Sequence, residues 1–254
     1  MADIVETSRI LQQTMVAEVQ TFRTLGSTND WAKRRAAEAA CPLPLLVVTE
    51  EQTAGRGRGT NRWWSAPGSL IFSLVLPPER IQNNLAPSPL ISIATAVAVA
   101  ESIVPLLAPH PVGIHWPNDV MADGRKIAGI LVEVLGNRRH VIGVGLNVNN
   151  RLHEAPPAIV ERATTCYELT HAVHNLTSVL VDVVRRLEVR IGQLTAPADL
   201  VREANALCLQ QGTTLNLRRG DRTITGRCAG IAADGSLLLD TPEGRQAFAS
   251  GVLV

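Results

Sequence analysis

The chain has 254 residues, enough for one large domain or for a large domain followed by a small one. Lys and Arg number 24 and Asp and Glu 23, so the net charge is only +1. A protein that holds DNA by bulk electrostatics is usually more basic than this, so an anionic ligand must be bound by cations that cluster locally.

The N-terminal region and the cysteines bear on cellular location. The first 20 residues lack the cationic start and apolar core of a signal peptide, and their weak pattern predicts a loose arm. The four cysteines show no C-x-x-C pair and no zinc spacing, which favours free thiols in a reducing compartment. The longest apolar run, at 90–100, is shorter than the roughly 20 residues that span a bilayer. These features predict a cytoplasmic protein without a membrane segment.

The first half of the chain predicts alternating helices and strands. A helix is expected to begin at Ser27, whose hydroxyl can cap the first turn, and to end at Ala40 before two prolines. Further elements are expected as strands at 45–49, 70–76 and 112–115, a glycine-rich loop at 51–68, and a long apolar helix at 87–107.

From Asp119 onward the pattern indicates an antiparallel meander. The pairs Asp123-Gly124 and Gly136-Asn137 are turn signals, and the strands at 127–134 and 140–149 lie too close for a parallel crossover. Helices are predicted at 173–194 and 197–207. The last 45 or so residues favour a small β-barrel, with strands at 214–217, 223–231 and 236–239.

The segment 55–65, Gly-Arg-Gly-Arg-Gly-Thr-Asn-Arg-Trp-Trp-Ser, is the most informative; we call it the Gly/Arg loop. Its glycines allow close backbone approach, and the forked side chains of Arg56, Arg58 and Arg62 suit phosphate or carboxylate oxygens. The paired tryptophans can cover an apolar body. The loop predicts a site for a small anionic ligand; an RNA-contacting element of RGG type is the alternative, although the loop occurs once, between two apolar strands.

Two further segments carry polar groups in patterned positions. Asp119 and Lys126 flank the Asp123-Gly124 turn and could face each other, either in a site or as an incidental surface ion pair. In the segment 143–149, Gly-Val-Gly-Leu-Asn-Val-Asn, strand glycines indicate a bulge or close ligand approach, and Asn147 could contact a base or cap a turn. The sequence has no P-loop and no dinucleotide-binding motif, so a nucleotide would have to bind through another motif.

Taken in order, these segments resemble the biotin–protein ligases, from about residue 22 to the C-terminus. The matching segments are Ser27-Thr28-Asn29, Gln52 with the Gly/Arg loop, Trp-Pro-Asn-Asp at 116–119, Arg-Lys-Ile-Ala-Gly-Ile-Leu at 125–131, and the segment 143–149.

The resemblance implies an α+β fold of two domains. Residues 1–208 would form the class II synthetase-like catalytic domain, a mixed, largely antiparallel sheet flanked by helices, with 1–20 as the loose arm. Residues 209–254 would form a small SH3-like β-barrel.

The resemblance also implies roles for individual residues. The biotin-binding set would be Ser27, Thr28, Asn29, Gln52, Gly55, Arg56, Trp63, Lys126 and Gly129. Catalysis would depend on Arg58 at the phosphate and on Lys126 at the biotin carboxylate and α-phosphate. The nucleotide would also contact Arg62, Asn118 and Asn147, and Asp119 would order Lys126 and hold Mg²⁺.

The implied activity uses ATP to activate biotin as biotinyl-5'-AMP and then attaches biotin to a lysine of a biotin carboxyl carrier domain. A homodimer formed through the catalytic sheet is a further family expectation. One position departs from the family, because His115 replaces the usual Lys before Trp-Pro-Asn-Asp. A histidine is mostly neutral at pH 7, so a positive charge that the usual Lys supplies there would be absent or gained only at lower pH. We expect a modest effect on activity, because Lys126 is present.

Three other functions are alternatives. A lipoate–protein ligase shares the fold and reaction, but the Gly/Arg loop with its tryptophans disfavours it. A ligase that also represses transcription needs an N-terminal DNA-binding domain, which about 25 residues cannot hold. A non-enzymatic RNA-binding protein would use the loop arginines and show affinity that falls steeply with salt.

Overall fold

The computed structural model describes residues 4–81 and 89–254. The helices are α1 (Thr7–Gln13), α2 (Thr28–Ala37), α3 (Pro89–Leu107), α4 (Pro157–Val160), α5 (Cys166–Thr170), α6 (Leu176–Gly192) and α7 (Ala198–Leu207). The first seven strands are β1 (Glu18–Leu25), β2 (Leu45–Gln52), β3 (Leu70–Leu76), β4 (Val112–His115), β5 (Asp119–Ala122), β6 (Arg125–Val134) and β7 (His140–Leu146). The last five are β8 (Thr214–Arg219), β9 (Arg222–Ile231), β10 (Leu237–Thr241), β11 (Gly244–Phe248) and β12 (Val252–Leu253).

The larger sheet has seven strands in the order β1-β2-β3-β7-β6-β5-β4. Only the β1–β2 pair is parallel, and the other neighbours are antiparallel, which confirms the mixed, largely antiparallel sheet. At the predicted hairpin between β5 and β6, Asp123 and Gly124 both have positive φ, as a tight primed turn requires. In the centre of the sheet, the register places Gly129 of β6 opposite Gly145 of β7.

Helix α3 fills the core on one face of this sheet. It is long and apolar enough to cross a membrane by length and composition alone, but 72% of that stretch lies buried inside the protein. A helix that is apolar on all sides is expected to be a buried core helix, and α3 packs against α6 and the sheet. Helix α2 covers the other face, where Ala32 and Ala36 pack against side chains of β2, β3 and β7.

The N-terminal residues are ordered against the core, so the prediction of a loose arm at 1–20 is wrong for residues 4–20. Ile10 of α1 is fully buried, and Val5 and Val16 are nearly so. The Glu6 amide also donates to the Thr177 hydroxyl of α6 at 3.0 Å. Helix α1 is too short to give a clear hydrophobic periodicity in sequence, and the residues against which it packs lie far along the chain.

Other boundaries differ from the predictions in smaller ways. Helix α2 ends at Ala37, three residues early, and β7 ends at Leu146, where Asn147 begins to bond with the chain near Thr164. Strand β1 was not predicted, because it is a half-exposed edge strand of mostly polar residues. Residues 87 and 88 of the predicted apolar helix lie outside the described residues.

The C-terminal strands form a second, five-stranded sheet in the order β11-β10-β9-β8-β12. This is the small β unit that the turn spacing predicted, although β11 and β12 were missed. It is bonded to the larger unit, since Trp116 Nε1 donates to the Gly235 carbonyl at 3.0 Å and Asn205 of α7 exchanges two hydrogen bonds with Ile231. The domain boundary between 208 and 209 stays a prediction.

Replacing Ile10 tests the packing of α1. Ile10→Ala should lower the free energy of unfolding by about 2–5 kcal/mol, since a fully buried side chain is lost. The matched control is Leu11→Ala, one residue along the same helix and 40% exposed, which should cost about 0.5 kcal/mol or less. Urea denaturation of the three proteins measures both values, and equal, small losses would contradict the docking of α1.

Candidate functional site

A cavity of about 620 Å³ opens on the α2 side of the larger sheet, between the sheet and the Gly/Arg loop. Its lining comes mainly from the start of α2, the Gly/Arg loop, the segment from His115 to Asp119, strands β6 and β7, and the C-terminal residues Gly251 to Leu253; Gln52, Ile71 and Arg162 complete it. Twelve of the fourteen predicted site residues lie on its wall, namely Ser27, Thr28, Asn29, Gln52, Arg56, Arg58, Arg62, Trp63, Asn118, Asp119, Lys126 and Gly129. The structure therefore brings together segments that are far apart in sequence.

Glycines on two neighbouring strands make room for the Trp63 indole. A Cβ atom on Gly145 would lie 2.4 Å from Trp63 Cε2, and one on Gly129 would lie 3.1 Å from Trp63 Cζ3. Real Cβ atoms do not approach other atoms as closely as the first of these distances, so a side chain at 145 must displace the ring. Strand glycines thus mark a close approach, as the sequence indicated.

One end of the cavity is a cluster of small polar groups around the start of α2. Ser27 caps the helix by accepting from the Asp30 amide. Gln52 Oε1 accepts from the Thr28 amide at 2.7 Å and lies 3.1 Å from the Thr28 hydroxyl, which fixes the amide side chain at the wall. Buried groups with fixed hydrogen-bond directions can select a polar ring among ligands of similar shape.

Ser73 on β3 was not predicted, yet it lies directly behind this cluster. Its hydroxyl oxygen lies 2.8 Å from the Thr28 hydroxyl and 2.6 Å from Asn29 Oδ1, and the residue is fully buried. The signal in the sequence was a single polar residue within the apolar strand Leu70–Leu76. Buried hydroxyls need partners, so a lone serine in a core strand indicates a polar cluster nearby.

Arg56 of the Gly/Arg loop is held by two carboxylates. Its Nη2 lies 2.6 Å from Glu133 Oε2 and 2.9 Å from Asp30 Oδ1, while Glu133 also accepts from Lys33 at 2.9 Å and from Asn29 at 2.8 Å. Burial alone would raise the pKa of Glu133, but the hydrogen bonds from these cations and from the amide outweigh it and lower that pKa. Glu133, which sequence reasoning missed, thus ties the loop to α2 and β6.

Arg58 and Lys126 face the middle of the cavity. Lys126 Nζ lies 2.7 Å from Asp119 Oδ1, so the two residues that flank the hairpin do meet. Arg58 Nη1 donates to the Gly251 carbonyl at 2.9 Å, and burial lowers the pKa of Arg58 while the charge of Asp119 opposes that shift. Arg58 is thus bonded to a neutral carbonyl, which leaves its positive charge available to an anion.

His115 lines the cavity beside Asp119, its partner across β4 and β5. Burial lowers the pKa of His115; the charge of Asp119 opposes this shift and the charge of Lys126 adds to it. The lowered pKa favours the neutral imidazole, and the modest effect on activity expected for His115 stays a prediction.

Two predicted residues do not line the cavity. Asn147 is buried, and its side chain donates to the Thr164 carbonyl at 3.1 Å and accepts from Asn150 at 3.2 Å. Gly55 is the first residue of the Gly/Arg loop, and its carbonyl accepts from the Trp63 amide at 3.1 Å. Asn118 does line the cavity, but its Nδ2 donates to the Ile130 carbonyl at 3.0 Å and so holds β5 to β6.

Comparison with known proteins identifies the family. The sequence profile of the Biotin/lipoate A/B protein ligase family matches residues 21–149, and that of the Biotin protein ligase C terminal domain matches residues 207–252. This chain belongs to the biotin/lipoate A/B protein ligase family. It is therefore a ligase, and its two profile matches confirm the resemblance seen in the motifs.

Relatives in this family are similar over most of the chain. The biotin–[acetyl-CoA-carboxylase] ligase of Mycobacterium tuberculosis is 34% identical, with 85% of this chain and 80% of that protein covered. The bifunctional ligase/repressor BirA of Bacillus spizizenii is 33% identical, with 87% of this chain and 68% of that protein covered. The biotin protein ligase from Aquifex aeolicus, solved in complex with biotin and ATP, superposes with a TM-score of 0.80 at 29% identity, covering 94% of this chain and 98% of that one.

The space above Gly145 can be tested by a double-mutant cycle. Gly145→Ala should lower the free energy of unfolding by about 1–3 kcal/mol, because the added methyl group overlaps the Trp63 ring. In a Trp63→Ala background, Gly145→Ala should lower the free energy of unfolding by clearly less, since the obstructing ring is absent. Gly136→Ala is the control, because a Cβ there meets nothing within 4 Å. An unchanged cost in the Trp63→Ala background would show that the ring does not occupy this space.

The Glu133 network predicts a dependence of stability on pH. Glu133→Gln should lower the free energy of unfolding by about 1.5–3 kcal/mol at pH 7, the range for hydrogen bonds to charged groups. The pKa of Glu133 is depressed in the folded protein, so its stabilisation is present above the ordinary glutamate pKa of about 4.3 and is lost as pH falls through the folded value.

Urea denaturation at several pH values checks this prediction. The difference in the free energy of unfolding between wild type and Glu133→Gln should become smaller below about pH 4. Glu51→Gln, at an exposed position on β2, should match wild type at pH 7. A difference that stays constant down to acid pH would mean that the charge of Glu133 does not contribute.

Proposed function

We propose that this chain is a biotin–protein ligase that makes biotinyl-5'-AMP from biotin and ATP and then forms a C–N bond between biotin and a lysine of a biotin carboxyl carrier domain. The observation that carries the proposal is one cavity that has small polar groups of Ser27, Thr28 and Gln52 at the start of α2, which we call the ring pocket, and the cations Arg58 and Lys126 elsewhere on its wall. A neutral ring joined to a carboxylate by an apolar chain fits this order of groups.

The pocket at the start of α2 suits the ureido ring of biotin. Ser27, Thr28 and Gln52 offer hydroxyl and amide groups whose directions are set by the helix cap and by their mutual hydrogen bonds. Trp63 offers an apolar surface for the ring and the valeryl chain. Gly55 and Arg56 would contribute backbone contacts, because the Arg56 side chain is already held by Glu133 and Asp30.

In the first half-reaction, a carboxylate oxygen of biotin attacks the α-phosphorus of ATP and pyrophosphate leaves. Both reactants are anions, so the chain must align them and offset their repulsion, and no protein nucleophile is required. Lys126, which pairs with Asp119, would contact the carboxylate and α-phosphate, and Arg58 would exchange its carbonyl partner for a phosphate oxygen. The Gly/Arg loop above the sheet would exclude water from the mixed anhydride.

Mg²⁺ fits this site as an ion that arrives with the nucleotide. Proteins commonly hold Mg²⁺ through one or two carboxylates together with substrate phosphates. Within residues 4–81 and 89–254, Asp119 is the one carboxylate that lines the cavity, and no group of three or more His, Cys, Asp or Glu side chains could hold a metal ion by itself. Asp119 would therefore be one ligand of an Mg²⁺ ion that is bound mainly by phosphates. The ion would offset the negative charge of those phosphates.

In the second half-reaction, the acceptor lysine amine attacks the biotinyl carbonyl carbon. An amide bond forms, the bond to the adenylate oxygen breaks, and AMP leaves with the electron pair while the amine gives up a proton. Cytoplasmic location, predicted from the sequence, and a homodimer, expected from the family resemblance, remain predictions. Light scattering distinguishes a dimer from a monomer of 27.3 kDa.

Exchange of labelled pyrophosphate into ATP tests the first half-reaction. Wild type should show exchange that requires biotin, and Lys126→Ala should reduce it by about 100-fold or more, as for loss of a donor to developing charge. Arg125→Ala is the matched control, because it removes the adjacent cation, which does not line the cavity. It should exchange close to the wild-type rate.

The other outcomes separate the alternatives. Exchange that depends on lipoate rather than biotin would make the chain a lipoate–protein ligase. A folded protein without exchange for either acid would contradict the proposal. The second half-reaction is followed by mass spectrometry of a carrier domain, and self-labelling is simple to recognise because Lys33 and Lys126 are the chain's two lysines.

A further inference from the structure

Arg162 lines the cavity from the segment between α4 and α5, which none of the sequence motifs includes. Its carbonyl accepts from the Lys126 amide at 2.8 Å, and the Thr164 amide donates to the Lys126 carbonyl at 2.9 Å. Together these bonds form a short parallel bridge between Lys126 and Ala163. The backbone of Arg162 is thus fixed beside the lysine at the beginning of β6.

Positions along β6 give the order of groups along the cavity. Asn29, adjacent to Thr28 of the ring pocket, donates to the Leu131 carbonyl near the far end of the strand, and Trp63 covers its middle. Lys126 and the neighbouring Arg162 lie at the strand's beginning. The bridge between Lys126 and Ala163 is parallel, so Arg162, one residue before Ala163, lies toward the beginning of β6, on the side of Lys126 away from the ring pocket.

Arg162 contributes an uncompensated positive charge at the end of the cavity near the beginning of β6. Lys126 is paired with Asp119, and Arg56 with Asp30 and Glu133. Over residues 4–81 and 89–254, by contrast, no acidic side chain lies within ion-pair distance of Arg162, which is exposed to the cavity and solvent. A guanidinium without an acidic partner, next to the lysine at the reacting phosphate, is suited to bind further phosphate oxygens.

We propose that Arg162 binds the β- and γ-phosphates of ATP and, after the attack, the pyrophosphate that leaves. The assignment rests on the proposed function, because that reaction places the α-phosphate at Lys126 and the remaining phosphates beyond it. Biotinyl-5'-AMP retains the α-phosphate alone. Arg162 therefore acts in adenylate formation and has no phosphate to contact during transfer to the acceptor.

Calorimetric titration of the full chain with magnesium pyrophosphate, without biotin, tests the contact directly. Arg162→Gln should weaken binding about tenfold, the effect of losing a charged hydrogen bond, and Arg162→Lys should retain part of the affinity. The backbone bonds to Lys126 do not depend on the side chain, so the fold is kept. Arg185→Gln, at an exposed position of α6 outside the cavity, is the matched control and should bind like wild type.

Kinetics separate the two half-reactions. Arg162→Gln should raise the KM for ATP about tenfold and leave the transfer rate from preformed biotinyl-5'-AMP unchanged. Unaltered pyrophosphate affinity, or equal losses in both half-reactions, would overturn the assignment. If wild type showed no biotin-dependent exchange while Arg162→Gln still weakened pyrophosphate binding, the proposed function would fail and the phosphate site at Arg162 would stand.

Discussion

The register of β6 on β7 is the constraint on which the site depends, because it places Gly129 opposite Gly145 in the centre of the sheet. Two glycines facing each other leave a strip of sheet without side chains, and the Trp63 indole fills it. The Gly/Arg loop can therefore lie close to the sheet, which brings Arg58 near Lys126. A slip of one residue would reverse every side chain of β6, removing Lys126 from the cavity.

Ion pairing inside the cavity separates structural cations from those left for a ligand. Arg56 is used to fix the loop, and Lys126 is oriented by Asp119. Arg58 is bonded to a carbonyl, so its charge is not neutralised. A chain with a net charge of only +1 can thus present positive charge at one place, as its composition required. Arg56 and Arg58, which looked equivalent in sequence, differ in the structure because Arg56 reaches two carboxylates and Arg58 a carbonyl.

Sequence motifs located most of the site because its residues lie in short segments with recognisable chemistry, such as the Gly/Arg loop. They could not locate Ser73 or Glu133, which act through contacts between distant strands. For Asn147, the motif suggested contact with a base. In the structure its side-chain amide instead donates to the Thr164 carbonyl and accepts from Asn150. For the fold, the long apolar helix and the hairpins were predictable, whereas the edge strand β1 was not, since edge strands need little hydrophobic alternation.

The small C-terminal sheet is part of the site, because the same Trp-Pro-Asn-Asp segment that supplies Asp119 also holds the sheet in place. Trp116 is almost fully buried, with its indole nitrogen bonded to the Gly235 carbonyl and its amide to Gln210. Next to the edge strand β12 of the small sheet, the Gly251 carbonyl accepts the hydrogen bond from Arg58. The two contacts fix the small sheet at separate points of the cavity rim, so a shift of that sheet moves Arg58 relative to Lys126. In the proposed reaction, alignment of the reacting groups would therefore depend on both units of the chain.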